Sequence, residues 1–263
     1  DPSKAEAELT LGRALYKNES YVDARLVFEK LAFNDTDSER AQAAWFLAAR
    51  SAAFVAIPSS KEEALTLFDK AISAKGPLTS AAMMEKASLM ITLNRLAEAT
   101  AFLRKWYDSL SPTDPLRIPA GLLYGEAIYA QGSKNVSSLT QALAIYDELL
   151  KHPATTPAFV NRIQYLRGMT LEQLPDEKNP NAKREDYALA AYHSVLSNSA
   201  SPPPEWHYLE LSGFRALEIL ERSKRWYAAI DIAKKIASFN GPRAAEAANR
   251  AKQIQLKNNI WED

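Results

Sequence analysis
Apolar residues recur along this chain at spacings of three and four with polar residues between them, and runs of alternating valine, isoleucine or threonine are nearly absent. That periodicity predicts α-helix as the only regular structure, an all-α class. The stretch LGRALYKNESYVDARLVFEKL, residues 11–31, shows the unit: Gly12 in a first amphipathic segment, then Ala24, Phe28 and Leu31 in a second. The second-segment block returns as Ala64, Phe68, Ala71; Ala99, Leu103, Trp106; Ala142, Tyr146, Leu149; Ala188, Tyr192, Val195; and Ala229, Ala233, Ile236. Its alanines stand 40, 35, 43, 46 and 41 residues apart, which predicts pairs of antiparallel helices stacked in series.

Small residues mark the first helices at Gly12, Ala49, Ala87, Gly125 and Gly168, with Gly213 or Ala216 in the sixth place. Glycine inside a helix costs roughly 1 kcal/mol relative to alanine, so its repeated use calls for close helix approach. The expected arrangement brings the alanine side of the partner helix near, with the large residue four positions on filling the next gap. Asp1-Pro2, Asp114-Pro115 and Thr156-Pro157 each predict a capping side chain ahead of a proline at the first helical position. Ser60 with Glu63 and Ser138 with Gln141 fit capping boxes, and Asn240-Gly241-Pro242 closes one helix and opens the next.

The small residue, the alanine and the aromatic four later resemble the tetratricopeptide repeat. Leu11, Gly12, Ala24 and Phe28 carry the likeness best, followed by Gly125, Ala142, Tyr146 and the closing Pro153. The resemblance implies a right-handed α-solenoid over residues 1–263, with repeats at about 3–36, 38–75, 78–112, 115–153, 157–199 and 203–239 and a capping helix at 242–259. Wider spacing in the second, fourth and fifth units implies inserted loops at AIPSSK, QGSKNVSS and PDEKNPNAKRE and draws the period toward that of HEAT-like repeats. The opening DPSKAEAEL reads like an inter-repeat junction, so the chain is expected to be part of a longer one.

Composition narrows the chemistry. With 32 basic and 32 acidic residues the formal charge is zero, so the basic footprint of a nucleic-acid binder is missing. No apolar run reaches the length that inserts into a membrane. The absence of cysteine removes disulfides, thiol nucleophiles and thiolate-ligated metals. His152, His193 and His207 lie in different units without a second histidine at ligand spacing, so ordinary surface or packing roles are expected. NDTDSE at 34–39 imitates the start of a calcium loop, but Arg40 and Phe46 stand where such a loop needs glycine and glutamate, and helix capping is the better account. Hydrolase, nucleotide-binding and zinc-protease motifs are missing, so no catalytic residue, metal or cofactor is expected.

Carried over position by position, the resemblance places Arg13, Tyr16, Phe46, Arg50, Glu126, Tyr129, Tyr165 and Glu172 on a concave, partner-binding face lined by first helices. That face would have aromatic bodies, arginines toward one end and glutamates farther along. The competing view makes such a stripe core packing, above all at Leu9, Met84, Leu122 and Met169. The implied function is a non-enzymatic scaffold that holds a segment of another protein, and the resemblance points to bacterial envelope assembly or secretion, periplasmic or at the outer membrane. The alternative is a regulatory or substrate-recruiting repeat domain cut from a larger enzyme or signalling protein.

Overall fold
A computed structural model describes residues 2–132, 135–175, 184–198 and 206–260. Among them the regular structure is thirteen α-helices without a strand: α1 (Pro2–Lys17), α2 (Tyr21–Asn34), α3 (Ser38–Phe54), α4 (Pro58–Ser73), α5 (Thr79–Thr92), α6 (Leu96–Ser109), α7 (Arg117–Gly132), α8 (Val136–Lys151), α9 (Pro157–Gln173), α10 (Glu185–Asn198), α11 (Trp206–Arg222), α12 (Trp226–Ser238) and α13 (Ala244–Asn258). The chain divides inside α6 into two compact units, Asp1–Trp106 and Tyr107–Asp263. In the first, α1 to α4 each pack on the next helix and α4 packs on α5; in the second the same holds from α7 to α13, with α9 also touching α7 and α11. Each unit is therefore a stack of helical hairpins of the solenoid kind.

The repeated glycines show how each hairpin closes. A methyl group built on Gly12 would sit 2.4 Å from the Phe28 ring, one on Gly125 2.5 Å from Tyr146, and one on Gly168 2.4 Å from Tyr192. The ring of the large residue itself lies on the bare glycine. This refines the sequence expectation, which gave the close approach to the alanine and the ring to the next gap. Ala24, Ala142 and Ala188 are fully buried beside these rings. With exposures of 0–1%, each ring contributes about 1.5–3 kcal/mol of burial. At Gly213 the same space is filled by Ile236.

The helix ends depart from the sequence reading in instructive ways. Asp37 does cap α3, accepting from the backbone N–H groups of Glu39 and Arg40, and Arg40 clasps the Asp35 carboxylate. That clasp is the main reason the Asp35 carboxyl titrates below its ordinary value. Ser60, expected at a cap, lies inside α4, and its hydroxyl donates to the Ala52 carbonyl instead. The cap of α8 is Asn135, not Ser138, and Gln141 donates to the Tyr124 hydroxyl. Asp114 accepts from Leu116 N–H in a turn, so α7 begins at Arg117 rather than Pro115. Pro157 opens α9 as expected, although the Thr156 side chain makes no capping bond. Pro2 opens α1, while Asp1 lies outside the described residues. After α12 the left-handed residue is Asn240 with φ 55°, and no glycine has a positive φ among the described residues. Of the insertion PDEKNPNAKRE, residues 176–183 lie outside the described residues, as do residues 133 and 134 of QGSKNVSS.

Candidate partner-binding face
In the first unit, the first helices α1, α3 and α5 bring Tyr16, Arg50 and Glu85 together. The Arg50 guanidinium lies 5.8 Å from the Tyr16 ring centroid and 5.9 Å from that of Phe46, within cation–π range. It also pairs with Glu85 at 3.3 Å. Tyr16 meets Tyr21 edge-on at 5.4 Å and Phe54 edge-on at 5.9 Å, while Tyr21 and Phe54 stack at 5.2 Å. Phe54 ends α3 with 55% of its surface in solvent. Beside it a cleft of about 280 Å³ is lined by Arg50, Ala53, Phe54, Phe68, Glu85 and Leu89.

Burial pushes the Tyr16 hydroxyl upward in pKa against the lowering effect of Arg50. Burial also raises the Glu85 carboxyl, again opposed by Arg50. Phe46, expected at the contact surface, is 8% exposed and its ring lies 6.0 Å from Phe68, so it belongs to the core. Arg13 is exposed on α1.

The second unit presents a different face. Glu126 on α7 receives two hydrogen bonds from Arg162 on α9, at 2.6 and 3.2 Å. Glu172 on α9 accepts from the Tyr192 hydroxyl and pairs with Arg215 on α11 at 3.6 Å, leaving its side chain 8% exposed. Burial and the neighbouring Glu172 carboxylate hold the Tyr192 hydroxyl far above its ordinary pKa. Tyr165 lies 5.6 Å from Tyr208 and 6.2 Å from Tyr192. Tyr129 and Tyr165 are partly buried, and burial raises both hydroxyls against the lowering pull of Arg215.

The eight sequence candidates therefore fall into two groups. Tyr16 and Arg50 join one aromatic cluster in the first unit, with Phe46 beneath and Arg13 apart from it. Glu126 and Glu172 are taken up by ion pairs and Tyr165 by ring contacts, and Tyr129 packs partly buried against the core of the second unit. Sequence reasoning missed Tyr21, Phe54, Glu85, Arg162, Tyr208 and Arg215. A signal for three of them existed: Arg50 with Glu85, Glu126 with Arg162 and Glu172 with Arg215 each place opposite charges on first helices about one repeat apart. Among the described residues no group of three or more histidine or acidic side chains could hold a metal ion, and no helix is long and apolar enough to cross a membrane.

No protein-family model matches the chain, and no curated protein matches it in sequence. Among solved structures it is similar to the TPR2AB domain of yeast Sti1 in its pHSP90 complex, with 14% identity and a TM-score of 0.39, covering 97% of this chain and 100% of that one. So loose a superposition carries nothing about partner or site.

Proposed function
We propose that this chain is a non-enzymatic interaction scaffold, and that its first unit holds a segment of a partner protein against the first helices. The supporting observation is the cluster of Tyr16, Tyr21, Phe54 and Arg50: four residues of interface-prone type gathered on one face, with Phe54 left half in solvent beside an open cleft. The half of the Phe54 ring that lies in solvent contributes nothing to the fold, whereas burial under a partner would return that apolar area. The face is already ordered by its own ring contacts, so binding would cost little further organisation on this side. A place in bacterial envelope assembly or secretion is the finer proposal, and it rests on the repeat resemblance alone.

The test compares proteins that co-purify from the native source with wild type and with an Arg13→Glu, Phe54→Ser variant of unchanged far-UV circular dichroism. Loss of one specific companion is the expected result. An unchanged set of companions would remove the first-unit face from consideration.

A further inference from the structure
The first helices reach into the grooves between neighbouring second helices from one repeated position, the residue before the small residue of the repeat. Lys86 of α5 reaches Asp69 of α4 and lies 5.1 Å from the Phe102 ring of α6. Tyr124 of α7 has its ring 5.9 Å from that of Tyr107 on α6, and its hydroxyl accepts from Gln141 of α8. Arg167 of α9 pairs with Asp147 of α8 at 2.6 Å. On α3 the position is Ala48, and there the Arg25–Glu63 ion pair crosses from α2 to α4 instead.

On α11 no long side chain takes this place. The turns before α6 and α12 each contain a left-handed residue, Asn94 and Lys224, and Lys86 and Ala216 each stand eight residues ahead of it. Ala216 thus holds the position of the lysine with only a methyl group. What remains is a cleft of about 340 Å³, with Ala216 and Leu220 beneath, Leu189 of α10 and Ile232 of α12 at its sides, and His193 and Asp231 on opposite rims. Arg222 with Glu185 and Arg225 with Asp186 form ion pairs at the first turn of α10, and the cleft opens beyond them. All three helices lie inside the chain, with α9 before them and α13 after.

We propose that this cleft receives a lysine or arginine side chain from a partner protein. The chain itself shows the chemistry that suits such a groove. At Lys86 and Arg167 a long aliphatic stem carries a cation to a carboxylate, Asp69 or Asp147, placed five residues after the repeat alanine of the preceding second helix. On α10 that fifth place is His193, whose ring is hydrogen-bonded to Ser197 at 3.1 Å. The carboxylate of this groove comes from the other rim, and among the described residues Asp231 has no ion-pair partner. Lys235, one turn along, lies instead over the Phe239 ring at 4.9 Å. Tyr227, one turn before Asp231 and 74% exposed, adds an aromatic ring on the same side of α12. An incoming stem would cover Leu189, Leu220 and Ile232 while its head met the one carboxylate of the lining. The site belongs to the second unit and stands independently of the first-unit face.

Methyl NMR of the full chain tests this with three peptides: Ac-Ala-Leu-Lys-Leu-Ala-NH2, its counterpart with uncharged norleucine for lysine, and its counterpart with glutamate. The lysine peptide is expected to shift the Leu189, Leu220 and Ile232 methyls saturably and to bind at least about fivefold tighter than the norleucine peptide. Asp231→Asn should abolish that preference, and Ala190→Leu, at an exposed place in the lining, should block the cleft. A second readout needs no partner: Ala216→Lys should melt higher than Ala216→Met in the wild-type background, and lose that advantage beside Asp231→Asn. The proposal is overturned by an absence of saturable shifts at these methyls, by equal binding of the lysine and norleucine peptides, or by a preference that survives Asp231→Asn. Tighter binding of the glutamate peptide, or a higher melting point for Ala216→Met, overturns it as well.

Discussion

The first-helix faces of the two units use the same residue types to opposite effect. In the first unit the arginine of the cluster lies over rings and meets its acidic partner at 3.3 Å, while Phe54 remains half exposed. In the second unit Glu126 has Arg162 at 2.6 Å, and Glu172 has both Arg215 and the Tyr192 hydroxyl. One face leaves aromatic surface in solvent; the other commits its polar groups to its own helices. Residue type alone does not make a binding surface. What matters is whether the chain has already satisfied the groups concerned.

The sharpest way to test that contrast is at the glycines. Gly12 and Gly168 would both thrust a methyl group to 2.4 Å from a buried ring, but only the Tyr192 ring is also tied at its hydroxyl, to Glu172. Gly168→Ala should destabilise the second unit by about 3 kcal/mol, and Gly12→Ala the first by about 1–2 kcal/mol because Phe28 has more freedom to yield. Urea unfolding monitored by hydrogen exchange in each unit measures both, and equal costs would break the comparison. Next in size is Tyr192→Phe, which keeps the ring on Gly168 but removes the donor to Glu172. A loss of about 1–2 kcal/mol confined to the second unit is expected in the same experiment.

Phe54→Ala should follow, with a loss of about 1 kcal/mol, since half of the side chain is in solvent and the rest lies on Tyr16 and Tyr21. A calorimetric loss much above that would show Phe54 to be structural and would erase the openness claimed for the first face. The smallest effect concerns pH. Burial raises the folded-state value for Glu85 above the ordinary 4.5. The folded protein therefore holds that proton more tightly than the unfolded chain, and the stabilisation is complete below 4.5 and lost as pH rises through the raised value. The side chain is 42% exposed, so solvent screening keeps the effect to about a few tenths of a kcal/mol. Glu85→Gln should flatten that part of the stability profile, as thermal melts across the range would reveal.

The sequence carried the architecture because the signals for it are local. Gly12, Ala24 and Phe28 sit within one hairpin, and the period repeats that message along the chain. The character of the faces was harder to read, because Arg162 and Arg215 come from the next hairpin and their side chains reach back to Glu126 and Glu172. Phe46 misled for a related reason: a ring on a first helix can turn outward or toward Phe68, and periodicity leaves both open. Ser60 resembled a cap by spacing, yet Pro58 had already started the helix, freeing its hydroxyl to bind the Ala52 carbonyl.

The ring seated on glycine has a kinetic consequence. Gly12 and Phe28, or Gly168 and Tyr192, are joined by one short turn or insertion, so each latch closes after only a small loop has been drawn in. Contacts of such low sequence separation favour rapid folding, with any hairpin able to serve as the nucleus and its neighbours to condense on it. Unfolding should accordingly run hairpin by hairpin, and a pulled molecule should lengthen in discrete steps rather than in one rupture.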